Sequence, residues 1–117
     1  MAGLISRTIE RLSTDNQEAR ELEEDAAKAG CRLIAVQPDR SMVTVHGVLR
    51  SVTLRPVAGV TALEAELYDG SDSVTLIWLG RRKIEGVAAG RRLKAFGRIG
   101  MRSGNRVVYN PRYELEA

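Results

Sequence analysis

The sequence predicts a mainly β domain of five strands preceded by a helical extension. Three observations carry that expectation. Residues 62–80 read A-L-E-A-E-L-Y-D-G-S-D-S-V-T-L-I-W-L-G, two alternating runs about a turn. Leu63, Ala65 and Leu67 face one way, and Glu64, Glu66 and Tyr68 the other; period two means strand. From Ser41 onward, further apolar runs are punctuated by Gly and Pro, as strands are. Before Pro38 the apolar spacing is helical instead. The expected boundaries are a helical extension and connector over residues 1–38 and a β domain over 39–117.

The elements follow in order. Leu4, Ile5, Thr8, Ile9 and Leu12 form one stripe of a short first helix. Ser13 and Thr14 break it or start another. Thr14 and Gln17 have capping-box spacing, so a second helix is expected over 15–29, with Ala19, Leu22, Ala26 and Ala29 on one face. Gly30 is a natural stop. Residues 31–36 are an extra edge strand or an extended connector. Residues 42–54 are a long strand in which Gly47 marks a bulge or bend. Residues 55–59 form a loop. In the central hairpin, Asp69-Gly70 with Ser71 and Asp72 supplies turn chemistry. Its second run is apolar on both faces, with Val74, Leu76 and Trp78 opposing Thr75, Ile77 and Leu79. Residues 83–90 read as one helical turn between strands. Residues 92–99 are a strand and 100–105 a turn. Residues 106–115 are a last strand region, bent or ended at Asn110-Pro111.

Size and composition exclude several classes. A chain of 117 residues makes one domain. No uncharged stretch is long enough to span a bilayer. Arg7, Glu10 and Arg11 interrupt any signal core, so a cytoplasmic protein without membrane association is expected. Cys31 is the single cysteine and reads as a small buried residue rather than a reactive thiol. His46 is the single histidine and reads as a strand residue bonded to a neighbour. There is no triad, metal-ligand spacing or phosphate loop. The expectation is a protein without enzyme activity or cofactor.

The charge is uneven. The net value is +3. Residues 1–38 carry five cations against seven carboxylates, so the excess of cations lies in the β region. From Arg81 to Arg112, Arg81, Arg82, Lys83, Arg91, Arg92, Lys94, Arg98, Arg102, Arg106 and Arg112 face only Glu85. Such asymmetry points to a polyanion or to a solvated surface. Single-stranded nucleic acid needs cations along its backbone and flat surfaces for its bases. Trp78 shares a face with Val74 and Leu76 and reads as core. Tyr68 lies on the outer face, and Tyr109 is on the last strand region; both are stacking candidates.

The stretches V-T-V-H-G-V-L at 43–49, L-Y-D-G-S-D-S-V-T-L-I-W-L-G at 67–80 and I-E-G-V-A-A-G-R-R-L-K-A-F-G-R-I at 84–99 carry a resemblance. They resemble the anticodon-binding type of OB-fold domain and the OB wedge domain of branched-DNA helicases. The whole chain looks like the small stand-alone OB-fold nucleic-acid-binding proteins of actinobacteria. The resemblance implies a five-stranded OB-fold Greek-key barrel with an N-terminal helical extension. It implies single-stranded DNA or RNA as partner, and no catalysis, since no helicase, synthetase or polymerase module accompanies it. In such a barrel Arg55, Arg81, Arg82, Arg102 and Arg106 would lie near the groove rim. Arg50, Lys83, Arg98 and Arg112 complete the candidate cations. Glu64 and Glu66, on the expected binding strands, would repel phosphate unless solvated or paired to arginine. The competing reading is a protein partner or homo-oligomer, engaged through the first helix stripe and through the outward apolar residues Ile77 and Leu79.

Overall fold

The computed structural model describes residues 2–116, with side chains from residue 14 onward. The order is α1 (Ala2–Lys28), a 3₁₀ turn (Ile34–Val36), then β1 (Met42–Val57), β2 (Val60–Tyr68), β3 (Ser73–Leu79), β4 (Arg92–Arg102), β5 (Asn105–Tyr109) and β6 (Arg112–Leu115). The strands run β1-β2-β3-β5-β4-β6 across the sheet, and β1 also pairs with β4. That extra pairing closes β1, β2, β3, β5 and β4 into a ring, with β6 appended to β4. The architecture is the expected five-stranded OB-like barrel.

Strand β1 closes the ring because it serves two partners. Its first half, Met42 to Val48, is antiparallel to β4. Its second half, Val48 to Val57, is antiparallel to β2. The register shifts between Leu49 and Ser51, and a bulge there increases the local bend. Gly47 stands beside this crossing. A Cβ at Gly47 would collide with the Tyr68 carbonyl, so only glycine lets the two strands approach.

The inward positions form one core. Val45, Leu49, Leu67, Leu76, Leu93, Ile99 and Val108 are almost completely buried. Segments outside the strands add Ile34 from the 3₁₀ turn and Ile84 and Val87 from the β3–β4 connector. Trp78 is core, as expected. Its indole N–H donates to the Pro111 carbonyl at 3.0 Å, and Tyr113 meets it edge-on at 5.9 Å. Each large apolar side chain buried this way contributes about 1.5–3 kcal/mol.

Helix α1 docks at the β2–β3 turn. Leu22 and Ala26 are buried, and Gly70 meets the backbone of Ala19 closely. Gly70 has φ +95°, and any Cβ there would strike the Ala19 carbonyl. The stripe Leu4, Ile5, Ile9 and Leu12 lies outside the residues whose side chains are described.

Several expectations need correction. The two helices are one continuous helix. Ser13 and Thr14 cost only a few tenths of a kcal/mol each inside a helix, and no Gly or Pro separates the two stripes. Residues 31–36 contain a 3₁₀ turn rather than an edge strand. Residues 55–57 are strand, not loop; Pro56 fits because β1 has no second neighbour there. The true turn is Ala58-Gly59, both at positive φ, as a tight hairpin requires. Residues 83–90 form turns without a helix, since Gly86 and Gly90 both take positive φ. His46 is 2 % exposed, yet neither ring nitrogen has a hydrogen-bond partner. Its Nε2 lies 3.5 Å from a Glu116 oxygen. Ile77 is not a surface residue. It is fully buried in a small outer cluster with Ala62 and Val107, flanked by Val57, and Leu79 alone remains partly exposed. Cys31 is buried as expected. Burial pushes its thiol pKa up, against a smaller lowering by Lys94.

Candidate nucleic-acid interface

The outer wall of the ring is built by alternation. Side chains pointing away from the core of β2 are Ala62, Glu64, Glu66 and Tyr68, and those of β3 are Ser73, Thr75 and Ile77. Cross-strand pairing sets Thr53 beside Glu64 and Ser51 beside Glu66. It sets Thr75 beside Val107 and Ile77 beside Tyr109. A groove of about 290 Å³ crosses this wall, lined by Ser51, Thr53, Arg55, Glu64, Thr75 and Arg102 among others. Ser51, Thr53, Thr75 and Ser103 contribute hydroxyl groups to its lining.

Cations mark two places on the wall. At one end the Arg50 guanidinium stacks on Tyr68, 3.5 Å from the ring centroid. Arg50 reaches Tyr68 because it sits at the bulge. At the middle of β2, Arg102 and Arg55 converge on Glu64. Arg102 Nη2 donates to Glu64 Oε1 at 3.2 Å, and Arg55 Nε lies 3.6 Å from Oε2. Tyr109 first and Glu64 second hold the Arg102 guanidinium still more firmly in the charged form. Tyr68 and Glu64 are four residues apart on one strand, roughly 13 Å. That spacing is a few nucleotides of extended strand.

The remaining candidates are not all on this wall. Arg81, Arg82 and Lys83 are exposed and follow Gly80, whose N–H donates to the Thr61 carbonyl at 2.7 Å. They therefore start from the end of the wall where β2 begins. Arg106 turns away. It pairs with Asp72 and donates to the Ala35 carbonyl at 3.1 Å, tying β5 to the β2–β3 turn and the 3₁₀ turn. Arg98 pairs in register with Met42 and donates to the Arg40 carbonyl at 3.1 Å. Arg112 pairs in register with Phe96. Both belong to the β4–β6 side of the ring, away from β2 and β3. Arg92 pairs with Asp25 of α1. The ten-cation run of the sequence is thus divided among different walls and structural ties.

The expected repulsion by Glu64 and Glu66 is also divided. Glu64 is 7 % exposed and paired to two arginines, whereas Glu66 is partly exposed within the groove. The group of buried Glu64 with exposed Arg55 and Arg102 was not legible as a unit, since its members lie far apart in sequence. Among the described residues no group of three or more His, Cys, Asp or Glu is arranged to hold a metal ion. No described helix is long and apolar enough to cross a membrane.

No protein-family model and no curated protein matches the chain. A solved structure does: RecG bound to a three-way DNA junction, at a TM-score of 0.59 and 21 % identity. The match covers 72 % of this chain but only 12 % of the RecG chain. What the two share is the fold, an OB-like barrel.

Proposed function

We propose that this protein binds single-stranded DNA or RNA without catalysis and with little sequence preference. The observation that carries the reading is the outer wall of β1, β2 and β3. An Arg50–Tyr68 stack stands at one end, and next to it lies a groove lined by Arg55 and Arg102 together with Ser51, Thr53 and Thr75. Guanidinium groups offer planar, bidentate recognition of phosphate. Aromatic rings offer stacking of about 1–3 kcal/mol per base. A shallow open wall suits splayed bases better than a duplex. The likeness to a barrel-containing protein solved on a DNA junction supports the same chemistry. With Arg106, Arg92, Arg98 and Arg112 occupied elsewhere or on another wall, the working set is Arg50, Tyr68, Arg55, Arg102 and Tyr109, extended by Arg81, Arg82 and Lys83.

Affinity is then weak and mostly electrostatic. Fluorescence anisotropy with labelled single-stranded DNA, RNA and duplex at two salt concentrations tests it. Single strands bind more tightly than duplex, and threefold more salt weakens binding by about tenfold for three contacted phosphates. Equal affinity at both salt levels removes this reading.

A further inference from the structure

The Glu64 group is built asymmetrically. Glu64 is fixed at the centre of a strand and its side chain is 8 % exposed, while the side chains of its partners Arg55 and Arg102 are 65 % and 41 % exposed. The anion cannot leave, but the guanidinium groups stand at the groove surface with donors to spare. Around them the groove offers Ser51, Thr53, Thr75, Ser103 and Asn105 as neutral donors, and Glu66 as the one other charged group. Two cations and two carboxylates leave the groove near neutrality.

We propose that Arg55 and Arg102 form a phosphate site that Glu64 holds closed. The inference rests on the nucleic-acid reading and deepens it. A phosphate and the Glu64 carboxylate compete for the same guanidinium N–H groups. An incoming phosphate gains one face of each arginine and meets the Glu64 carboxylate behind it. Glu64 thereby lowers the affinity of the wall for phosphate, and does so more steeply the higher the charge of the ligand, which makes pyrophosphate the most sensitive probe. A purely structural role for the group predicts no such competition.

The test uses the full chain, wild type beside Glu64→Gln, with inorganic pyrophosphate followed by amide chemical shifts and a labelled thymidine oligomer followed by anisotropy. Glutamine keeps the shape and one acceptor for Arg102 while removing the charge. The expected result is about tenfold tighter pyrophosphate binding by Glu64→Gln, with shifts at residues 53–55 and 102–103. The gain disappears in the triple variant Glu64→Gln, Arg55→Ala, Arg102→Ala. For the oligomer, the slope of log affinity against log salt steepens by about 0.7, one phosphate's worth on a single strand. Glu64→Ala serves in the same comparison if the amide variant fails to fold. An unchanged pyrophosphate affinity in the folded variant, or a gain that survives in the triple variant, overturns the proposal. A pyrophosphate gain with no oligomer binding by either protein sustains the closed phosphate site and rejects the nucleic-acid reading.

Discussion

Among the described residues two carboxylates are buried, Asp69 and Glu64, and their surroundings are opposite in kind. Asp69 is fully buried at the β2–β3 turn. Its Oδ1 accepts from the Ser71 N–H at 2.9 Å, the Ser71 hydroxyl at 2.6 Å and the Asp72 N–H at 3.3 Å. Its Oδ2 accepts from the Ile34 N–H at 2.8 Å. Every partner but one is backbone, and none can swing away. Glu64 instead is held by two long, exposed guanidinium side chains. The first arrangement fixes the chain path, because it ties the hairpin to the 3₁₀ turn that places Ile34 in the core. The second leaves exchangeable charge at a surface. Burial alone does not separate the two carboxylates; the kind of partner each one has does.

That contrast can be broken by experiment. The largest effect is expected from Asp69→Ala. It leaves the Ile34, Ser71 and Asp72 amides without acceptors and should cost roughly 2–4 kcal/mol in urea unfolding. Glu64→Gln should cost less than about 1 kcal/mol, since it strands only arginines already in water. Equal losses from the two would erase the distinction.

Next in size is Gly70→Ala, at about 1–3 kcal/mol from the left-handed backbone and the contact with Ala19. Hydrogen exchange should then show residues 19–28 losing protection while the barrel strands keep theirs. Uniform loss of protection would mean that the helix and barrel unfold as one unit.

Tyr68→Ala should leave stability within about 0.5 kcal/mol. It should weaken oligomer binding by about fivefold or more, as loss of one stack implies. Unchanged binding would move the interface off the Arg50 end of the wall. The smallest effect concerns Cys31. Its thiol is raised in the folded protein, so it should react with a thiol reagent at pH 8 more slowly than a free cysteine. The same shift contributes stability below the thiol's unfolded pKa, lost as pH rises through the folded one. A rate equal to that of free cysteine would show that burial does not protect it.

Much of the framework was legible. Alternation in 62–80 fixed both which side of β2 and β3 faces the core and the turn at Asp69-Gly70. Gly47 flagged the place where β1 changes partners, and Asn110-Pro111 flagged the break between β5 and β6. The errors were local. The helix break at Ser13-Thr14, the loop at 55–59 and the helical turn at 83–90 follow from propensity, which packing and pairing override by amounts larger than propensity itself. The candidate site was read less well. A list of arginines in sequence carries no information on which wall each occupies, and nothing near Arg106 or Arg92 marks Asp72 or Asp25 as its partner.

By itself the sequence determined the strands, their inward faces and the excess of cations, because alternation and charge are properties of neighbours in the chain. Only the tertiary structure decided which cations remain free. Closing the ring brings β1, β2 and the β4–β5 hairpin together around Glu64, and pairs formed across such distances follow from geometry in space rather than from order along the chain.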